Sequence, residues 1–363
     1  MAAMETVRVP SRQGEYPVIV GAGLLERPAP IVAAADGGRL LVVTDTNVGP
    51  LHGRRTAGAV AAAGIVTLPA GERFKRWEQV TRVLGEALGR EFSRGDLFLG
   101  VGGGVVTDLT GFAASVFMRG VGWIAAPTTV LAMVDAAVGG KTGINLPEGK
   151  NLAGTFWPPR AVVADVATLA TLPEREVRAG LAEAVKAAWI GDRGLLELLD
   201  PPPPAAASGE WTAIVARAVR VKAEIVGRDE REGGIRRVLN LGHTVGHALE
   251  AATEYRRFLH GEAVAWGMLA AGRIAAADGL LSADGLAALE RAVGRLAPLP
   301  PVADLTIEAL LPYIGRDKKR GPDGIAWVLP TDGGVVWDRR VAPAALERAW
   351  DAVRREYGRM VGR

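Results

Sequence analysis

Asp96-Leu-Phe-Leu-Gly-Val101-Gly-Gly-Gly-Val-Val-Thr-Asp108 decides the fold. A short apolar run gives way to clustered glycines, and a helical pattern follows. Strand, tight turn and helix in that order are the building unit of a parallel sheet. The same reading extends to both sides. Leu40–Asp45, Ile65–Pro69, Gly122–Ala126 and Ala161–Asp165 read as further buried strands. Helices are expected between them near 50–63, 75–90, 105–117 and 128–138. This alternation predicts an α/β domain over residues 1–172, with a mostly parallel, modified Rossmann-like sheet covered on both faces.

The pattern changes at Thr171-Leu-Pro-Glu174. Thr171 is expected to cap a helix, with Pro173 in its first turn and Glu174 at the capping-box position. Further helices are expected near 174–190, 211–227, 243–255, 261–278, 283–295 and 342–356. Ile325–Leu329 and Val335–Trp337 read as a small hairpin. Residues 173–363 are therefore expected to form a mostly α-helical domain. The active site is expected in the cleft between the two domains, a favoured place for ligands.

Bulk composition narrows the classes. A chain of 363 residues with 49% hydrophobic content can bury two cores. Lys plus Arg number 43 against 40 Asp plus Glu, a net charge of +3, and no basic block stands out. A nucleic-acid partner is not expected. The absence of cysteine excludes disulfides and thiolate zinc sites. There is no apolar run of about 18 residues, so no membrane span is expected. Met1–Pro10 lacks a signal-type apolar core, and a cytoplasmic protein is expected.

Three segments carry candidate chemistry. The glycines from Gly100 to Gly104 would let a helix N-terminus approach a pyrophosphate. Val105 breaks the G-x-G-x-x-G spacing, and no acidic residue lies about 20 positions on. A tight strand–helix turn explains the same glycines without a ligand. Asp45, ending its strand, could hold an adenosine ribose instead. The stretch Asp135 to Asn151 is rich in glycine and carries Lys141 and Lys150. It reads as a loop that grips phosphate, although it is no Walker A motif, or as ordinary surface lysines.

The third is a cluster of histidines. Three of the chain's four are His243, His247 and His260. The first two stand at i and i+4, on one face of a helix. Glu183 lies on an Ala/Leu/Val-rich helical stripe with Lys186 three residues on, a spacing that a plain surface ion pair also satisfies. A Glu/His/His set supplies three ligands and leaves positions open, as a catalytic zinc requires. His52, in Gly-Pro-Leu-His-Gly, reads as an exposed loop residue and is assigned no role.

Taken together, the segments resemble the 3-dehydroquinate synthase family almost end to end. The most specific are Asn240-Leu-Gly-His243-Thr-Val-Gly-His247 and Gly140-Lys141-Thr-Gly with Gly149-Lys150-Asn151. Leu68–Lys75, Phe117–Gly120, Pro127–Thr129, Ala182–Lys186, His260–Glu262 and Arg316–Lys319 add to the resemblance. Thr107, Thr155 and Pro158 depart from residues more usual in the family, outside the motifs that matter here.

The resemblance implies Zn2+ (or Co2+) held by Glu183, His243 and His260. It implies NAD+ around Asp45, Asn47, Glu72, Lys75, Gly103, Gly104, Asp108, Thr128 and Thr129, with Lys141, Lys150, Thr168 and Thr171. Substrate would meet Asp135, Lys141, Asn151, Lys186, Lys222, Arg236, Asn240, His247 and Lys318 or Lys319. Arg119 would reach a partner subunit's site. A homodimer is expected from relatives and from the frequency of two-fold assemblies.

The implied reaction converts 3-deoxy-D-arabino-heptulosonate 7-phosphate into 3-dehydroquinate and phosphate, a step of the shikimate pathway. It proceeds by transient oxidation, β-elimination of phosphate, re-reduction and aldol closure. Besides a non-catalytic binding or scaffold protein, against which the Glu/His/His set argues, two rivals remain open. One is another sugar-phosphate cyclase, such as an aminodehydroquinate or 2-deoxy-scyllo-inosose synthase. The other is a metal- and NAD-dependent polyol dehydrogenase. Lys222, Arg236 and Asn240 favour a carboxylate-bearing substrate.

Overall fold

The computed structural model describes the backbone of residues 4–204, 207–314, 320–321 and 324–357. The chain divides into two compact units. The first runs to Pro173 and takes back Pro204–Arg231, while the second holds Glu174–Pro203 and the residues from Glu232 onward.

The first unit opens with strands β1 (Glu5–Val9) and β2 (Tyr16–Gly21), paired antiparallel. There follow α1 (Ala29–Ala35), β3 (Leu40–Asp45), α2 (Arg54–Ala59), β4 (Gly64–Leu68), α3 (Trp77–Gly89), β5 (Leu97–Gly102), α4 (Gly104–Val116) and β6 (Gly122–Pro127). A separate hairpin joins β7 (Lys141–Leu146) to β8 (Gly149–Phe156), and β9 (Ala161–Asp165) completes the main sheet. Its order is β1-β2-β9-β6-β5-β3-β4, with every pair parallel except β1–β2. The chain steps outward from β3 to β4, then continues on the other side through β5 and β6. Strand order therefore reverses beside β3 and β5, where the carboxyl ends of strands in open α/β sheets hold ligands.

Central strands read as unbroken apolar runs because both of their faces are covered. Every residue of β5 is buried. Leu97, Leu99 and Val101 pack with Val42, Ile124, Ala126 and Val163 in one core.

Helix α5 (Glu174–Gly191) begins the second unit, and α6 (Ser208–Arg228) returns to the first. Trp211, Ile214, Val215, Ala218, Val219, Lys222 and Ile225 form the buried stripe of α6. That stripe lies against β1, β2 and the turn Ala132–Ala136. A single cut after residue 172 misses this return. Periodicity shows that a helix is amphipathic, but not which core its apolar face will cover.

Three local expectations also change. The helix expected near 128–138 is shorter: helical backbone covers residues 130–136, with Ala132–Ala136 wound as a π-helix. The stretch expected as a glycine-rich loop folds into β7–β8. Its glycines allow the close pairing: a Cβ at Gly154 would lie 2.2 Å from the Thr142 carbonyl oxygen. Finally, Thr171 does not cap α5. It ends a 3-10 turn, Val166–Thr171, and Leu172 is extended at φ −79°, ψ 131°. Proline disfavours helical backbone in the residue before it, so Pro173 pushes the helix start to Glu174.

The second unit continues with α7 (His243–Ala252), α8 (His260–Ala277), α9 (Ala283–Gly294) and α10 (Ile307–Ile314). It ends with β10 (Arg320–Gly321), β11 (Gly324–Thr331), β12 (Gly334–Val341) and α11 (Pro343–Tyr357). Helix α8 is its axis, with α5, α7, α9, α11 and β11 packed on it. From Gly261 to Gly272 every residue of α8 is buried. Two glycines permit backbone contact with its neighbours. A Cβ at Gly261 would stand 1.7 Å from the Ala179 carbonyl oxygen, and one at Gly267 1.8 Å from that of Gly242.

Candidate active site

Those close approaches bring three helices to one point in the second unit. Glu183 comes from α5, His243 from the first turn of α7 and His260 from the first turn of α8. One ligand atom from each lies within 4.8 Å of the others. Ring centroids of His243 and His260 are 5.1 Å apart. Glu183 is 1% exposed, and neither of its carboxylate oxygens has a hydrogen-bond partner. A buried carboxylate in that condition is costly unless a cation satisfies it. Lys186, 3% exposed, pairs with one oxygen, and the His260 Nε2 lies 3.6 Å from the other. The Glu183–Lys186 pair is thus interior, not on the surface.

Each imidazole presents one nitrogen and spends the other. The Nδ1 of His243 lies 3.2 Å from the Leu241 carbonyl oxygen, and the Nδ1 of His260 lies 3.1 Å from Glu250 Oε2. An Nδ1–H donated in each case leaves Nε2 with its lone pair, the tautomer that a metal ligand needs. Burial holds His243 well below the ordinary histidine pKa, reinforced by the neighbouring charge of Lys186. Burial acts the same way on His260, but Glu250 and then Glu183 outweigh it and raise that pKa. The donor set fits a divalent ion such as zinc or cobalt.

Glu250 flanks the histidine motif and favours the metal reading in the sequence, where it is given no role of its own. It stands seven positions after His243 on the same helical face, and it is buried. A carboxylate that fixes a ligating imidazole is worth about 10–100-fold in metal affinity. Glu250→Gln is expected to weaken zinc binding by that factor, measured by competition with a chromophoric chelator. An unchanged affinity would assign Glu250 to packing alone.

His247 is exposed, with its ring 5.1 Å from His243 and 5.8 Å from His260. Arg236, 2% exposed, and Asn240 share the turn Ile235–Asn240, and Asn240 Nδ2 donates to Glu232 at 2.6 Å. Lys318 and Lys319 lie outside the described residues.

A second group of expected residues gathers in the first unit, along the carboxyl ends of the parallel strands. Asp45 ends β3, and its Oδ1 accepts from the backbone N–H groups of Asn47 and Val48, each at 2.8 Å. Gly103 precedes α4, whose N-terminus carries no side-chain cap, and Gly104 is its first residue. Uncapped amides with the helix dipole suit a phosphate, so the turn fits a dinucleotide. Thr128 and Thr129 follow β6; Thr128 N–H donates to the Gly102 carbonyl at 3.0 Å, and Thr129 Oγ1 accepts from Ala132 at 3.2 Å. Thr168 and Thr171 occupy the turn after β9.

Lys75 is buried, paired with Asp108, and donates to Asn151 Oδ1 at 2.5 Å. Burial works against its ammonium charge, but Asp108 and Glu72 prevail and raise its pKa. Lys222 donates to the Asp135 carbonyl at 2.7 Å and to its carboxylate at 2.5 Å. Lys141 is exposed at the start of β7, and Lys150 is half-buried on β8. Arg119 is exposed in the turn Phe117–Arg119, where Met118 and Arg119 both take left-handed backbone at φ 47° and 69°.

His52 differs from expectation. It is half-buried in the turn Gly49–Gly53, and its Nε2 lies 2.8 Å from Thr171 Oγ1. Its neighbours in sequence are glycine and leucine, and nothing local announces a partner that follows β9.

Comparisons with known proteins bear on the chemistry. The family described as 3-dehydroquinate synthase N-terminal matches residues 65–179, and its C-terminal counterpart matches 180–320. A 3-dehydroquinate synthase of Acidithiobacillus ferrooxidans is 42% identical over 96% of this chain and 98% of that protein. A 2-epi-5-epi-valiolone synthase from Streptomyces hygroscopicus, solved with NAD+ and Zn2+ bound, is 31% identical over 95% of this chain and 98% of that one, with TM-score 0.82. A 2-deoxy-scyllo-inosose synthase shares the fold, with TM-score 0.84 over 97% of this chain and 99% of that one at 24% identity.

Proposed function

The chain belongs to the 3-dehydroquinate synthase family, and on that premise we propose that it converts 3-deoxy-D-arabino-heptulosonate 7-phosphate into 3-dehydroquinate and phosphate. NAD+ and a divalent metal are its proposed cofactors. The Glu183, His243 and His260 cluster, one ligand atom of each within 4.8 Å of the others around a buried carboxylate, is the observation that carries the reading.

When bound, the metal would acidify the substrate hydroxyl to be oxidised, while NAD+ would accept a hydride and later return it. The chain's own residues do the rest. Arg236 and Asn240 would anchor the substrate carboxylate, since guanidinium suits a planar anion. Lys141, Lys150, Asn151 and Lys222 would supply charge and hydrogen bonds to a substrate bearing several anionic oxygens. His247 would contact the phosphate and carry a proton, because imidazole changes charge near neutral pH. Glu72, Lys75, Asp108 and the Gly103–Gly104 turn would seat the dinucleotide. Homodimer formation, with Arg119 serving the partner's site, and a cytoplasmic location are part of the same proposal. No helix among the described residues is long and apolar enough to cross a membrane.

Lys186→Ala is expected to lower kcat by about 10²-fold, the scale of one lost charge-assisted contact at a reacting centre. Metal content should stay at the wild-type level, because an ammonium beside a cation site opposes the ion. Elemental analysis beside steady-state kinetics reads both, and loss of metal would make Lys186 structural.

The identity to the valiolone synthase makes a sister cyclase the second reading. Phosphate release should be fast from the heptulosonate phosphate and negligible from sugar phosphates that lack a carboxylate. The reverse preference would replace the proposal with that rival.

A further inference from the structure

We propose that Asn145 is a positioning residue that ties the dinucleotide-contacting segment Glu72–Lys75 to the substrate-contacting Asn151. It rests on the reading above. Asn145 uses four hydrogen bonds for this. Its backbone N–H donates to the Lys75 carbonyl at 2.7 Å. Its Nδ2 donates to the Glu72 carboxylate at 2.8 Å and to the Glu72 carbonyl at 3.3 Å. Its Oδ1 accepts from the Asn151 backbone N–H at 2.9 Å. Only one orientation of the amide satisfies both sides, donor to Glu72 and acceptor for Asn151.

Two irregularities of the β7–β8 hairpin meet at this residue. The pairing register shifts between Ile144 and Leu146, so Asn145 occupies the bulge. Bulges re-aim a side chain and gather beside functional sites. Asn151 is held in left-handed backbone at φ 54°. Asparagine tolerates that region better than most residues, though at some cost. The bond from its N–H to Asn145 helps hold it there. In that conformation Asn151 Oδ1 accepts from Lys75, whose other partner is Asp108. The side-chain amide thus sets Glu72 and fixes Asn151, beside the backbone bond to Lys75, while it need touch neither ligand. Removing it should weaken both ligands together, an effect that no residue confined to one subsite would produce.

Asn145→Ala and Asn145→Asp in the metal-loaded protein test this. NAD+ affinity is read by calorimetry, and KM and kcat for the heptulosonate phosphate by phosphate release. Asn145→Ala should weaken NAD+ about tenfold and raise KM about tenfold, with kcat within about threefold, the scale of one lost hydrogen bond per ligand. Asn145→Asp keeps the acceptor for Asn151 but sets a carboxylate against Glu72. It should weaken NAD+ and leave KM near the wild-type value. Unchanged NAD+ affinity and KM in Asn145→Ala, or a lower melting temperature with both constants intact, would overturn the inference. Wild-type protein that binds no NAD+ would overturn the functional reading itself, whatever the variants do.

Discussion

His243→Ala should lose bound metal and turnover together. A site with three protein ligands and open positions cannot spare one, because the remaining pair no longer encloses the ion. Burial holds the His243 pKa well below its ordinary value, which favours the neutral imidazole that a metal needs. The Leu241 carbonyl fixes which nitrogen faces Glu183 and His260. A catalytic metal supplies several kcal/mol of charge stabilisation, so its loss should cost about 10³-fold or more in kcat. Elemental analysis of the purified variant, beside phosphate release, reads the two effects. Full metal retention would shift the ligand set to His247, Glu250 and His260, which also converge within 4.8 Å.

Gly267→Ala should have the largest effect on stability. The added methyl would meet the Gly242 carbonyl oxygen at 1.8 Å, and both sides of that clash are backbone. No rotamer change relieves it, so either α8 or the turn before α7 must move. Overpacking of this kind costs about 3 kcal/mol or more. At roughly 2–4 °C per kcal/mol, the melting temperature should fall by about 6–12 °C. Gly242 immediately precedes His243, so zinc affinity should fall in the same variant. Gly85→Ala is the control: it lies within α3, and a Cβ there would meet nothing within 4 Å. That change should leave stability equal or slightly higher. A Gly267→Ala protein melting with wild type would contradict the helix packing that assembles the site.

Much of this was readable without coordinates, for physical reasons. Fully buried parallel strands such as Leu97–Gly102 are apolar without interruption, and glycines open the helix that follows. The histidines stood out because the chain has four in all. Other features depend on partners distant in sequence. The apolar stripe of α6 is evident, but the unit it covers is not. β1 and β2 alternate buried and more exposed residues as strands should, yet they stand apart from the βα pattern and were missed. Gly143 reads as a loop residue because the usual strand preferences score glycine low; its role is to let two backbones meet. His52, Glu250 and Asn145 take their meaning from Thr171, His260 and Glu72, and no local pattern announces such pairings.

Phosphate released from 3-deoxy-D-arabino-heptulosonate 7-phosphate, followed together with absorbance at the NADH band, tests the central claim most directly. With NAD+ present, the account predicts continuous phosphate release with no accumulation of NADH. A chelator should stop it, and Zn2+ or Co2+ should restore it. Release that persists in metal-free protein, or NADH accumulating with each turnover, would contradict a metal-dependent cyclase that returns its hydride.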